Sequence, residues 1–265
     1  MSKISEKKRI VFKIGTSTLT HRTGMLNIRR VENLVKVLAD VKNQGHEVII
    51  VTSGAVGLGC AKLGLKERPS DTPSKQAAAA VGQCQLMYLY DKNFSEYNIP
   101  VAQMLLTKYI IEPTRRQNVV NTMTKLLEQG VIPIVNENDV VAIDELELEV
   151  GENDSLAAIV GTIAGADLIV ILSDIDGLYD GDPRKNPNAK LIPVVEEITD
   201  EIRNVAGGAG TMHGTGGMIT KINAAQIAND AGIDMVIMNG KNPLKIYELF
   251  EDIPTGTVFK AKEEK

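Results

Sequence analysis

The strongest constraint on the fold of this chain is a set of short apolar runs that do not alternate. Val48-Ile49-Ile50-Val51 sits at the centre of one run, and Leu168-Ile169-Val170-Ile171-Leu172 is apolar throughout. A strand with one face in water alternates apolar and polar residues, so a run that is apolar at every position needs cover on both faces. The segments between such runs have helical spacing. Asn27 is placed to cap a helix in which Val31, Leu34, Val35, Leu38 and Val41 form one stripe, and Gly45 is placed to end it. The pattern predicts strands at 9–14, 47–52, 100–105, 131–135, 168–173 and 235–238. Helices are predicted at 74–97, 115–129, 153–164, 217–231 and 243–250, with a further one opening at Ser53-Gly54-Ala55. Strands alternating with helices mean α/β architecture with a mostly parallel central sheet.

A chain of 265 residues can bury a full core, and no repeat, low-complexity stretch or Pro/Ser linker divides it. We expect a single domain in two lobes, with the boundary near 165–175 and a charged tail at 260–265. A formal charge of −5, spread along the chain, and the absence of Trp argue against a nucleic-acid surface. Cys60 and Cys84 have no metal-ligand spacing and read as reduced thiols of a cytoplasmic protein. The charged N-terminus is not a signal peptide, and no apolar run is long enough to suggest a membrane span.

In an open parallel sheet, ligands bind beyond the carboxyl ends of the strands, and the polar motifs of this chain fall there. Lys13 ends the first strand and is followed by the small-residue turn Gly15-Thr16-Ser17. Ser53-Gly54-Ala55 ends the second strand and opens a helix whose N–H groups suit a carboxylate or phosphate. Bland readings stand beside these: Lys13 alternating outward on an edge strand, and Ser53 as a plain helix cap. Two acidic-amide clusters follow, Asn136-Glu137-Asn138-Asp139 and Gly151-Glu152-Asn153-Asp154-Ser155, with the alternating strand-like segment 146–150 between them. Amides and carboxylates at such density suit a small zwitterion. Ser173-Asp174 opens the acidic loop 173–183, which lacks the spacing and bidentate Glu of a calcium loop. That loop reads either as a capped turn or as the rim of a nucleotide pocket. Finally, Gly214-Thr215-Gly216-Gly217-Met218-Ile219-Thr220-Lys221 leads into a helix. It reads as a polyphosphate wrap or a flexible linker, and matches neither the Walker A nor the dinucleotide pattern.

In this order the motifs resemble the amino acid kinase superfamily over residues 9–259, and within it the branch that phosphorylates glutamate. The Asp-Gly-x-Tyr-x-x-Asp-Pro element marks the superfamily only; the two acidic-amide clusters carry the narrower match. The resemblance implies a three-layer αβα sandwich, with an amino-acid-binding lobe at about 1–165 and a nucleotide-binding lobe at 166–259. It implies transfer of phosphate from ATP, with Mg²⁺, to the side-chain carboxylate of L-glutamate, the first step of proline biosynthesis. Lys13 and Lys221 would flank the transferred group and Asp154 would hold them in place. Ser53, Gly54, Asn136, Asp139 and Asn153 would bind glutamate. Lys13, Gly15, Ser173, Asp174, Thr215, Gly216, Gly217, Met218, Ile219, Thr220 and Lys221 would bind ATP. No protein ligand to the metal is implied.

Proline as a feedback inhibitor and a homo-oligomeric state, dimer or tetramer, are further implications. Many members carry a C-terminal PUA domain, and this chain stops just after Gly256-Thr257-Val258-Phe259. His21, His46 and His213 read as surface or loop residues, and the loop at 63–74 as a candidate cover for the amino acid. Two rival readings remain at this stage. One is another kinase of the same fold, acting on N-acetylglutamate, aspartate or UMP. The other is a sensor that binds nucleotide or amino acid without turnover.

Overall fold

The computed structural model describes residues 4–6, 8–21, 23–107, 112–141, 153–208 and 217–262. Strand β1 (Arg9–Ile14) leads into a short helix α1 (Thr16–Leu19). Helix α2 (Ile28–Asn43) begins where the sequence places it, with the Asn27 side chain accepting from the Arg30 N–H. Gly45 follows with φ of 99°, the left-handed backbone that ends a helix cheaply only in glycine. Next come β2 (Glu47–Thr52), α3 (Ala55–Lys62) and the long α4 (Thr72–Ser95), which Asp71 caps. The first half closes with β3 (Val101–Leu106), α5 (Pro113–Glu128) and β4 (Ile132–Glu137). The second contains α6 (Asn153–Ala164), β5 (Leu168–Ser173), β6 (Val194–Val195) and α7 (Asp200–Gly208). It ends with α8 (Met218–Asp230), β7 (Asp234–Asn239), a 3₁₀ turn at Pro243–Lys245, α9 (Ile246–Phe250) and β8 (Thr257–Phe259).

The backbone groups into two units, Met1–Lys13 with Leu148–Lys265, and Ile14–Glu147. The helix at 153–164 therefore groups with the second half, whereas the sequence set a lobe boundary near 165–175. In the first unit the strand order is β1-β5-β7-β8-β6. β5 and β7 are parallel with Leu168 beside Asp234 and Ser173 beside Asn239, and β8 is antiparallel to β7. Helices α6 and α8 pack on each other and on β5 and β7. In the second unit the order is β3-β4-β2, all parallel, with α2 on β2, α4 on β3 and α5 on β4. The burial of β2 and β5 matches their unalternated sequence, since every residue from Val48 to Thr52 and from Leu168 to Ser173 is buried. Edge strand β3 is half-exposed. The mostly parallel α/β architecture is as expected. α1, α7, β6 and β8 were not foreseen, and the expected strand at 146–150 lies outside the described residues.

Candidate active site

The first unit brings three sequence-predicted residues together. Lys13 comes from β1, Asp154 from the first turn of α6 and Lys221 from the first turn of α8. Lys13 Nζ stands 2.8 Å from Asp154 Oδ1 and Lys221 Nζ 3.0 Å from Oδ2. The Asp154 side chain is 0% exposed and each lysine side chain only 8%. No other donor among the described residues reaches Oδ1. Burial pushes the Asp154 carboxyl up, but the charges and hydrogen bonds of Lys13 and Lys221 outweigh it and hold the group below the usual carboxylate range. Two helix N-termini meet at this carboxylate, and both dipoles favour its charge. The trio places two ammonium groups on one carboxylate, all three side chains nearly out of water.

The other expected nucleotide residues of this unit lie at strand and helix ends. Ser173 ends β5 and is buried, with its carbonyl accepting from Gly240 N–H at 2.8 Å, while Asp174 beside it is exposed. The loop beyond is tied to β7 and to itself: Asp176 accepts from Asn239 Nδ2 at 2.7 Å and from the Tyr179 hydroxyl at 3.2 Å. Gly177 has no room for a side chain, since a Cβ there would lie 2.5 Å from Thr257 Oγ1. The Asp-Gly-x-Tyr element is thus hydrogen-bonded and closely packed at the carboxyl ends of β5 and β7. Gly217 is the N-cap of α8, followed by Met218 and the exposed Ile219. Thr215 and Gly216 lie outside the described residues. Asn153 is the first residue of α6.

The second unit holds most of the residues expected to meet the amino acid. Gly15 caps α1, and Ser53 N–H donates to the Ile14 carbonyl at 3.1 Å. Gly54 caps α3 with φ of 106°, a conformation that explains glycine at this place. Asn136, 2% exposed at the end of β4, donates from Nδ2 to Gln83 Oε1 on α4 at 2.9 Å. Past it stand two carboxylates. Burial raises Glu137, and the charge of Asp139 raises it further. Burial also raises Asp139, with Arg68 offsetting part of that. A pair of acids held above their ordinary range is a ready site for an ammonium group. Sequence reading named Glu137 only as a member of its cluster and covered Arg68 only within the loop at 63–74, giving neither a separate role, and it passed over Gln83, which stands in no motif.

The chain matches the amino acid kinase family over residues 8–239. It is 51% identical over 263 residues to a glutamate 5-kinase of Clostridium perfringens, covering 98% of each protein. It is 48% identical over 264 residues to a glutamate 5-kinase of Listeria innocua, covering 98% of this chain and 96% of the other. Among solved structures, UMP kinase from Ureaplasma parvum superposes with a TM-score of 0.63 at 17% identity, over 96% of this chain and 99% of that one. Isopentenyl phosphate kinase from T. acidophilum gives 0.60 at 16% identity, over 96% and 100%. At such identities the two structures speak for the fold alone, a mostly parallel sheet flanked by helices.

Proposed function

The chain belongs to the amino acid kinase family, and on that premise we propose that it transfers the terminal phosphoryl group of ATP to the side-chain carboxylate of L-glutamate. The products are L-glutamyl 5-phosphate and ADP, and the reaction opens proline biosynthesis. The observation that carries the chemistry is the buried Lys13–Asp154–Lys221 trio, two ammonium groups held by one carboxylate. A glutamate carboxylate is ionised at neutral pH and needs no general base. The barrier is the approach of two anions, and fixed cations lower it by meeting charge on the phosphoryl oxygens as the loose transition state forms. Lys13 and Lys221 take that role. Asp154 is held ionised and buried between them, so it fixes the two ammonium groups rather than moving a proton.

Lys13, Ser173, Asp174, Gly217, Met218, Ile219, Thr220 and Lys221 are assigned to ATP, together with Gly15, Thr215 and Gly216 by the sequence motif. Ser53, Gly54, Asn136, Asp139 and Asn153 are assigned to glutamate, Asp139 being suited to its ammonium. The functional division, amino acid on 1–165 and nucleotide on 166–259, is one of ligand contacts and need not follow the grouping of the backbone. Mg²⁺ travels on the ATP phosphates, as suits a hard cation reluctant to dehydrate. Among the described residues no group of three His, Cys, Asp or Glu could hold a metal ion. Proline, which shares an α-carboxylate and an ammonium with glutamate, is assigned as inhibitor at the amino acid residues. A homo-oligomer, dimer or tetramer, is carried over from the family resemblance. The reducing cytoplasm suits the free thiols Cys60 and Cys84. No described helix is long and apolar enough to cross a membrane.

The test compares ADP release from ATP and Mg²⁺ with L-glutamate, N-acetylglutamate, aspartate and UMP as acceptors. Release that depends on glutamate is the expected result. Turnover with another acceptor alone would move the substrate, and binding of ATP with no turnover at all would make the protein a sensor.

A further inference from the structure

Thr220 stands in a motif that reads as a phosphate wrap, yet its hydroxyl faces other protein groups. Oγ1 lies 3.2 Å from Asp154 Oδ2 and 2.9 Å from the Gly217 carbonyl oxygen. A hydroxyl has one proton and can serve only one acceptor at a time. Gly217 O already accepts the Thr220 backbone N–H at 3.2 Å. If the hydroxyl proton went to Gly217, an oxygen lone pair would face a fully buried, ionised carboxylate. Given to Asp154 instead, the proton makes a charge-assisted bond, the stronger of the two. A threonine in the first turn of a helix often bonds back to its own N-cap carbonyl, and that contact alone would be local. The approach to a buried carboxylate on a different helix is not local.

We infer that Thr220 is a positioning residue. Its hydroxyl donates to Asp154 and so ties the first turn of α8, which carries Lys221, to the first turn of α6, which carries Asp154. Oδ2 then receives two donors from adjacent residues of α8, Thr220 Oγ1 and Lys221 Nζ at 3.0 Å. Two donors from one helix turn fix both the rotation of the carboxylate and the height of the Lys221 ammonium. With Lys221 alone, a flexible four-carbon stem would set that height. Alignment of this kind acts on the transition state, where small displacements of a charged group are felt most. It does little for ground-state binding of ATP.

The inference rests on the phosphoryl-transfer reading of the trio and is tested by Thr220→Val and Thr220→Ser, each checked for folding by thermal melting. Valine keeps the shape and removes the proton; serine keeps the proton and removes the methyl group. Losing one charge-assisted hydrogen bond should lower kcat roughly ten- to a hundredfold in Thr220→Val. The KM for ATP should stay within about threefold, and Thr220→Ser should retain most of kcat. A raised KM for ATP with kcat intact would make Thr220 a nucleotide contact and overturn the inference. Equal losses in the valine and serine variants would assign the effect to methyl packing and overturn it too, as would normal kinetics in both. Lys221→Met separates this from the premise: glutamate-dependent turnover at wild-type rate in that variant would remove the trio itself from the chemistry.

Discussion

At the scale of single residues, the carboxyls of the two groups are shifted in opposite directions. Asp154 is held below the usual carboxylate range because two cations outweigh its burial. Glu137 and Asp139 are held above it because burial is not fully offset, and they call for a cation. A carboxyl whose folded pKa is raised favours the folded state most at pH below its unfolded value, and that contribution is lost as the pH rises through the folded value. At neutral pH the ionised pair therefore strains the ligand-free protein. Glu137→Gln should raise Tm at pH 7.5 by on the order of 1–2 °C, discounted for its partial exposure. The gain should shrink toward pH 4, where the wild-type carboxyl carries its proton. A Tm that falls at pH 7.5, or a shift equal at both pH values, would show that Glu137 is not strained. Lys13, Asp154 and Lys221 were legible in the sequence through the order of their motifs. The partner of Thr220 was not, because Asp154 lies on another helix, 66 positions away, and no local period joins them.

Elements long enough to show a period were read almost to the residue: β1, β2, α6 and β5 have the expected bounds. β6 and β8 span two and three residues, too few to display any alternation. α7 ends in glycines that read as a loop. α4 was foreseen from its alanines, but the sequence does not say why they are there. A Cβ on Gly82 would fall 1.7 Å from the Ala55 carbonyl oxygen, and one on Gly59 would fall 1.8 Å from that of Ala78. Helices α3 and α4 thus touch backbone to backbone through Ala55, Gly59, Ala78 and Gly82, at the point where α3 leaves Ser53-Gly54. Gly82→Ala would gain about 1 kcal/mol of intrinsic helix propensity. The clash is with backbone that cannot swing aside, and overpacking of this kind costs about 3 kcal/mol or more. Urea unfolding should show a clear net loss; unchanged or increased stability would mean that the helices can separate at little cost.

At the scale of the whole molecule, the sequence set the fold class firmly, because continuous apolar strands alternating with amphipathic helices leave few other solutions. Its reading of function depended on several weak motifs taken in order, none of which was decisive alone. The structure adds to that reading the burial of the lysine–aspartate–lysine trio, and the relatives support the acceptor that the resemblance already implied. The central claim is that this trio drives phosphoryl transfer onto a carboxylate, which makes an acyl phosphate and not a phosphate ester. The most direct measurement is hydroxylamine trapping with ATP, Mg²⁺ and L-glutamate, run on the wild type and on folded Lys221→Met. The wild type should yield glutamyl hydroxamate in step with ADP, and the variant less by roughly two orders of magnitude or more, as for loss of a group stabilising transition-state charge. ADP release without hydroxamate, or equal hydroxamate from both proteins, would contradict the account.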